Sequence, residues 1–408
     1  MMHKKLILFL FTFNLHNFLF AQFFTPSQLL FPIISYAPQI VSRAAVMIDA
    51  HTGTLLYSKN PDLEIPPASL TKLMTMHLVM NEIEAGKASL DEIVPLTVDS
   101  WAQMQPEGSS LMFLEPRHIV TLREIMLGLS ISSGNDAAVA AALRISPTMD
   151  EFAALMTAEA RRMGLTVTRF IESSGISEYN IITAEEFTHF CRQYIELHPQ
   201  SLRDFHMVEV FAYPMPHNVP ENLRRNLITY TQYNRISLLR TFPGTDGLKT
   251  GFIDESGYNI ALTAKRDQTR IIAVLLGAPS ERGGDRIRDA DGERLLTWAF
   301  ENFRTVRPVI SPIKHPRLWK GKENTAVLKF TESPDFTSPV NRAETLSYET
   351  VIPEPLIAPL PAGYNAGFYI ISDEQGELKR IPLITTVDYQ RGNIFKRIWH
   401  SFLLLIRK

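Results

Sequence analysis

The sequence predicts an α+β fold, and three observations carry that expectation. Strand-type apolar runs stand near the start of the chain and again beyond residue 244. Between them lie segments whose apolar residues recur at helical spacing. Beyond Arg307-Pro308 prolines become frequent, and helical periodicity is absent until the last residues. The first two observations suit an antiparallel sheet flanked by helices, closed by strands from both ends of one domain. The third suits a small all-β domain followed by a helix.

His3, Lys4 and Lys5 precede a nearly unbroken apolar run over residues 6–20, and Ala21-Gln22 is a plausible cleavage point. That is the pattern of a signal peptide, here residues 1–21, so the remainder is expected to be exported. Leu19 stands where a small residue is usual, and Asn14, His16 and Asn17 interrupt the run; a retained transmembrane anchor is the alternative. Ala44–Asp49 and residues 54–58 read as strands around the turn Ala50-His51-Thr52-Gly53. Pro66-Pro67 can precede a helix but not sit inside one. After them Leu70, Leu73, Met74, His77 and Leu78 mark a buried helical face, with Ser69 in the first turn.

Thr121-Leu122-Arg123-Glu124 is a capping box opening a helix through Leu129. The chain breaks at Ser132-Ser133-Gly134-Asn135, and a new helix runs from Asp136 to Leu143. Residues 150–163 form a helix stopped by Gly164, and residues 183–195 another. The rest of 166–244 is mixed and loop-rich. Residues 247–252 read as a strand, 258–264 and 270–276 as a hairpin around Arg266-Asp267-Gln268, and 293–303 as a helix. The first strands are expected to pair with this hairpin, leaving Ser69 and Lys249 facing each other across a groove. In the proline-rich region, residues 326–330 and 367–372 are short strand candidates.

The last stretch, residues 394–408, plots as a helix with two unlike halves. Ile394, Phe395, Ile398, Trp399, Phe402, Leu403, Leu405 and Ile406 share one half; Lys396, Arg397, His400, Ser401, Arg407 and Lys408 share the other. It is too short and too charged to span a bilayer. Basic residues opposite Trp, Phe and Leu mark a helix lying in a membrane interface; an ordinary helix docked on the protein is the alternative.

At 408 residues the chain has room for more than one domain, and 45% hydrophobic with 21% charged residues is ordinary for a soluble protein. A net charge of -2 gives no support to nucleic-acid binding. Cys191 is the single cysteine, which excludes an intrachain disulfide and a cysteine metal cluster, and it reads as a core residue. The histidines are scattered with no His-Glu-x-x-His, so neither a metal nor a cofactor is expected.

Ser69 and Lys72 are three residues apart on a helix, which makes them neighbours at about 5–6 Å between Cβ atoms. The amine can take the hydroxyl proton, and a helix N-terminus favours the developing negative charge. Alone, this pattern is equally a helix cap beside a solvated lysine. Ser133-Gly134-Asn135 alone is a common turn, and Lys249-Thr250-Gly251 an ordinary strand end. Together, in this order and in an exported chain, they form a serine acyl-transfer set.

With these motifs the chain resembles the D-alanyl-D-alanine carboxypeptidases, the low-molecular-mass penicillin-binding proteins. The resemblance extends to residues 44–59, Gly108-Ser109-Ser110-Leu111-Met112, Asn135-Asp136-Ala137, Asp246-Gly247-Leu248 and Leu295-Leu296-Thr297-Trp298. It implies a β-lactamase/transpeptidase-like domain with a helical subdomain over residues 36–306. A β-rich domain (307–390) and an amphipathic membrane-anchor helix (393–408) would follow. It implies that Ser69 attacks the penultimate D-alanine carbonyl of a peptidoglycan stem peptide, that terminal D-alanine leaves, and that water hydrolyses the acyl-enzyme. The implied partners are stem peptides, β-lactam antibiotics as covalent inhibitors, and the inner-membrane surface through the C-terminal helix. The implied location is the periplasmic face of the cytoplasmic membrane, held peripherally.

Under this resemblance Lys72 is the base for Ser69, kept neutral by partial burial and by Lys249. Ser133 relays a proton to the leaving amine, and Asn135 holds Lys72 and the substrate amide. Lys249 and Thr250 suit the terminal carboxylate, and Gly251 lets the substrate backbone lie along the strand. Backbone N–H groups of Ser69 and Phe252 form an oxyanion hole, each donor contributing about 3–4 kcal/mol. Phe252 stands where some relatives carry histidine, which keeps the backbone donor and leaves any side-chain role open. An arginine before Leu295 completes the carboxylate site. Counting back gives Arg288, while extra residues around Gly283-Gly284 leave Arg286 and Arg282 open. A DD-endopeptidase acting on cross-links is not separated from a carboxypeptidase by these motifs. A β-lactamase is disfavoured, because no clear Glu-x-x-Leu-Asn loop lies between Asn135 and Lys249. A non-catalytic wall-binding protein would be expected had Ser69 or Lys72 been replaced.

Overall fold

The computed structural model describes residues 37–310, 312–313, 315–342 and 344–406. The expected signal peptide, Arg407 and Lys408 lie outside them. The chain enters with a hairpin of β1 (Ala44–Asp49) and β2 (Leu55–Lys59). A 3-10 turn, Ala68–Leu70, leads into α1 (Thr71–Glu84). Ser69 therefore sits in the 3-10 turn and not in the first α-turn, because Ala68 adopts a positive φ of 49° and bends the chain ahead of the helix. The expected capping box is present at α2 (Leu122–Leu127): Glu124 N donates to Thr121 Oγ1 and Thr121 N to Glu124 Oε2. The α-helix ends earlier than the apolar run, and a wider π-turn, Gly128–Ser132, delivers Ser133 at a left-handed φ of 57°.

Next come α3 (Asn135–Ile145), α4 (Met149–Arg162) and α5 (Ala184–Leu197), each within two residues of its expected bounds. A ribbon of β3 (Val210–Tyr213) and β4 (Tyr230–Tyr233) follows in the region whose pattern was mixed. The single turn α6 (Leu238–Thr241) leads to β5 (Thr245–Ile253), β6 (Gly257–Arg266) and β7 (Thr269–Ala278). The main sheet has five strands in the order β2-β1-β7-β6-β5, all antiparallel. Ala44 pairs with Leu276 and Asp49 with Ile271, so the two ends of the domain meet as expected.

Alternation along these strands feeds two cores. Ala44, Val46, Ile48, Ile272, Val274 and Leu276 face the helices α1 to α5. Ala45, Met47, Ile271, Ala273 and Leu275 face Leu295, Leu296 and Trp298 of α7 (Gly284–Asn302). That helix begins well before the expected Glu293. Gly284 and Gly292 lie inside it and serve packing: a Cβ would lie 1.8 Å from Pro279 O and 2.6 Å from Leu262 Cδ1.

Phe303 does not end the helix; it opens β8 (Phe303–Val306). Beyond it come β9 (Leu318–Trp319), β10 (Leu328–Phe330), β11 (Phe336–Pro339), β12 (Ser347–Val351), β13 (Leu356–Ile357), β14 (Asn365–Asp373) and β15 (Gly376–Thr385). A four-stranded sheet, β10-β15-β14-β12, packs over Leu318, Leu328, Ile371, Ile381 and Leu383. β8 pairs with β11, and buried Asp49 accepts from Thr305 Oγ1 (2.7 Å) and Thr337 Oγ1 (2.8 Å), tying this region to β1. The final helix, α8 (Ile394–Leu405), is capped by Asn393. Its polar side faces the protein: His400 Nδ1 accepts from Lys320 N (2.8 Å) and Lys396 Nζ donates to Lys322 O (2.8 Å). Its apolar side is bare, with Phe395 81% and Leu405 75% exposed. Among the described residues no helix is long and apolar enough to cross a membrane.

Candidate active site

Ser69 lies half-buried where the 3-10 turn meets α1, and the next turn of α1 carries Lys72 beneath it. Lys72 is fully buried. Its Nζ is bonded three ways: to Ser69 Oγ (3.0 Å), Asn135 Oδ1 (2.8 Å) and the Ser174 carbonyl (2.6 Å). An ammonium spends all its N–H groups on these partners. A neutral amine can keep the bonds to Asn135 and Ser174 only by pointing its lone pair at Ser69. Burial pulls Lys72 down to about 7; Glu172 opposes that, and Arg235 adds to it. Burial is complete rather than partial; Arg235 acts with it, and the mutual repulsion of Lys72 and Lys249 also favours uncharged amines.

The opposite wall is built from the π-turn and β5. Left-handed Ser133 presents Oγ to Lys249 Nζ at 3.0 Å, and Lys249 also donates to Thr250 O (3.1 Å). Lys249 is likewise buried and held well below its usual range, first by burial and then by Lys72, Arg235 and Arg288. Such a crowd of cations leaves room for an anion. Asn135 Nδ2 donates to Ser109 Oγ (3.1 Å), and its N–H to Ser110 O (2.8 Å). Asp136, buried, accepts from the N–H groups of Met112, Phe113 and Leu114, fixing the loop that supplies Ser109 and Ser110.

Gly251 has a use that the sequence did not announce. A Cβ there would meet Pro67 O at 2.7 Å and Ser69 N at 3.0 Å. The missing side chain makes room for the nucleophile turn itself, which seats Ser69 N beside the β5 backbone. Thr250 is buried, whereas Phe252 is exposed with its ring on Tyr258, centroids 4.2 Å apart. Of the three candidate arginines, Arg288 is buried and Arg282 and Arg286 are exposed. Arg288 pairs with Asp289 (2.6 Å) and lies over the same Tyr258 ring.

The fold thus brings Ser69, Lys72, Ser133, Asn135, Lys249, Thr250 and Gly251 into one cluster, with Arg288 near enough for its charge to act on Lys249. Sequence reasoning missed Arg235, Ser109, Ser174 and Glu172. All four lie in irregular segments; Ser109 stood in the 108–112 stretch of the resemblance without a role, and Glu172 and Ser174 stood in the turn-rich Glu172-Ser173-Ser174-Gly175. Cys191 is buried, and burial pushes its thiol far up.

A family described as D-alanyl-D-alanine carboxypeptidase matches residues 33–280. D-alanyl-D-alanine carboxypeptidase DacC of Escherichia coli is 31% identical over 374 residues, spanning 90% of this chain and 89% of that protein. D-alanyl-D-alanine carboxypeptidase DacD of Salmonella typhimurium is 33% identical over 397 residues, spanning 94% and 96%. The crystal structure of penicillin binding protein 5 from Haemophilus influenzae superposes with a TM-score of 0.75 at 26% identity, covering 88% of this chain and 100% of that one. The family match covers more than half of the chain, and these relatives align along nearly their whole length: this chain belongs to the D-alanyl-D-alanine carboxypeptidases.

Proposed function

We propose that the protein is a serine-type carboxypeptidase that removes the terminal D-alanine from peptidoglycan stem pentapeptides, and that penicillin acylates the same serine. The observation that carries this reading is the three-way bonding of buried Lys72, with an ordinary pKa brought down to about 7. Neutral Lys72 takes the Ser69 proton as Oγ bonds to the penultimate D-alanine carbonyl carbon. Ser69 N–H and Phe252 N–H receive the oxyanion, each contributing about 3–4 kcal/mol. The C–N bond breaks as the leaving amine takes a proton relayed through Ser133 from the lysines. Lys249, Thr250 and Arg288 hold the terminal carboxylate. Water then enters and gives a proton to Lys72 as its oxygen bonds to the acyl carbon; the ester bond to Ser69 Oγ breaks, Oγ takes that proton back from Lys72, and the shortened peptide leaves with a new terminal carboxyl group.

The protein acts outside the cytoplasm, held peripherally at the periplasmic face of the inner membrane by α8. The bare Phe395, Trp399 and Leu405 side chains support this, as do the signal-like first 21 residues. Mass spectrometry of the purified protein with penicillin, beside Ser69→Ala, tests the chemistry. An adduct on Ser69 that the variant lacks, with D-alanine released from pentapeptide, is the expected result. No adduct on folded protein would overturn the reading; faster cleavage of a cross-linked dimer than of pentapeptide would make the enzyme an endopeptidase.

A further inference from the structure

Glu172 lies outside the three motifs, yet it is bonded to the machinery through one peptide group. Ser174 C=O and Gly175 N–H belong to the same planar unit. The carbonyl accepts from Lys72 Nζ at 2.6 Å, and the N–H donates to Glu172 Oε1 at 2.7 Å. Glu172 Oε2 accepts from Ser174 N and Ser174 Oγ, both at 2.6 Å. Asn180 Nδ2 donates to Glu172 Oε1 (2.6 Å) and also reaches Thr71 Oγ1 (3.2 Å), on the residue before Lys72.

That peptide group needs fixing. Gly175 has a φ of 84°, and a Cβ there would lie 1.8 Å from Ala68 O, so only glycine fits beneath the nucleophile turn. Next to a glycine, the peptide plane has little steric resistance to turning over. Turned over, it would aim an N–H at Lys72 and its carbonyl at a carboxylate.

We propose that Glu172 is a positioning residue for Lys72: through the Ser174–Gly175 peptide it fixes the direction of the lysine lone pair and sets a negative charge behind it. Hydrogen bonds in series polarise one another, so the carboxylate strengthens the carbonyl as an acceptor. Charge acts in the same direction. Glu172 leads the groups that oppose the burial of Lys72, ahead of Asp136 of α3, while Arg235, from the segment after β4, acts with burial. Lys249 of β5 faces the same site and is itself depressed by Lys72.

This rests on Lys72 acting as the base. The test is the second-order rate of penicillin acylation against pH, with the pre-acylation dissociation constant measured separately. The wild-type rate should rise with pH through an acid limb near the Lys72 value of about 7. In Glu172→Gln that limb should move to lower pH, and the plateau should fall about 10-fold with dissociation constant unchanged. Ser174→Ala keeps both the charge and the peptide link, so its limb should stay. Glu172→Asp keeps the charge on a shorter arm; its limb should stay and its plateau fall. An unmoved limb in Glu172→Gln overturns the proposal, whatever the plateau does. If Glu172→Gln does not fold, a displaced limb in Glu172→Asp overturns it instead. A wild-type profile with no acid limb removes the Lys72 reading as well, which separates the two failures.

Discussion

Lys72 and Lys249 are sealed from solvent beside one another, while Phe395, Trp399 and Leu405 stand bare on α8. Each region inverts the usual partition of charge outward and apolar surface inward. At the groove, the inversion is supported by β5, α1 and the π-turn, which hold two amines where water cannot solvate them. At α8, the polar side is spent on the Lys320 and Lys322 backbone, and the apolar side is left exposed among the described residues. The lesson is that a buried charge is stored reactivity and an uncovered apolar face is stored affinity, each bought with folding stability.

The largest test of that view is Lys72→Met. Acylation by penicillin should fall by about 1,000-fold or more, read by stopped-flow or gel label. The same variant should be more stable by on the order of 3 kcal/mol near neutral pH, since an apolar side chain replaces a desolvated amine. The sign with pH follows. The folded pKa lies near 7, below the ordinary 10.5, so the unfolded chain binds the extra proton between those values and wild-type stability rises with pH across that window. The gain in Lys72→Met should therefore shrink from pH 7 toward 10.5 in denaturant melts. At the other region, Phe395→Ser with Trp399→Ser should lower binding to anionic vesicles by about 100-fold in a sedimentation assay, from lost apolar burial. Hydrolysis of soluble pentapeptide should not change.

A smaller effect is expected at the seam under Ser69. Gly251→Ala should slow acylation about 10-fold, because its Cβ must displace Pro67 O or Ser69 N, with the melting point nearly kept. Smallest is Thr337→Val, which removes one bond to buried Asp49 between the two halves of the molecule. It should cost about 1 kcal/mol in denaturant melts and leave both activity and vesicle binding intact.

The sheet and most helices were legible because apolar runs, period and capping leave local marks: β1 and β7 are nearly unbroken apolar runs, and Thr121 and Glu124 announce α2. The nucleophile, its amine and the Ser133–Asn135 turn were legible from short motifs. The start of α7 was not, since glycine punctuates and permits close packing by the same property, and only Pro279 and Leu262 decide which. Arg235 and Glu172 were hidden for another reason. Their effect on Lys72 depends on distance in space through segments without periodicity, and no spacing along the chain encodes it. Gly251 was legible as a residue but its packing against the nucleophile turn was not, because the turn that fills its empty side lies some 180 residues earlier.

The pairing of β1 with β7 has a consequence for the order in which the molecule comes into being. β1 leaves the ribosome early, yet its partner strand and the Gly251 seat for Ser69 are among the last parts of the domain to be made. Such long-range closure is slow to form. A nascent or truncated chain that stops before Thr245 holds Ser69 and Lys72 without the β5 wall that completes them, and one that stops before Thr269 has that strand but not β7, which joins it through β6 to β1. Fragments of this protein should thus be inert toward penicillin, and the first moment of labelling would serve as a clock for the closing of the sheet.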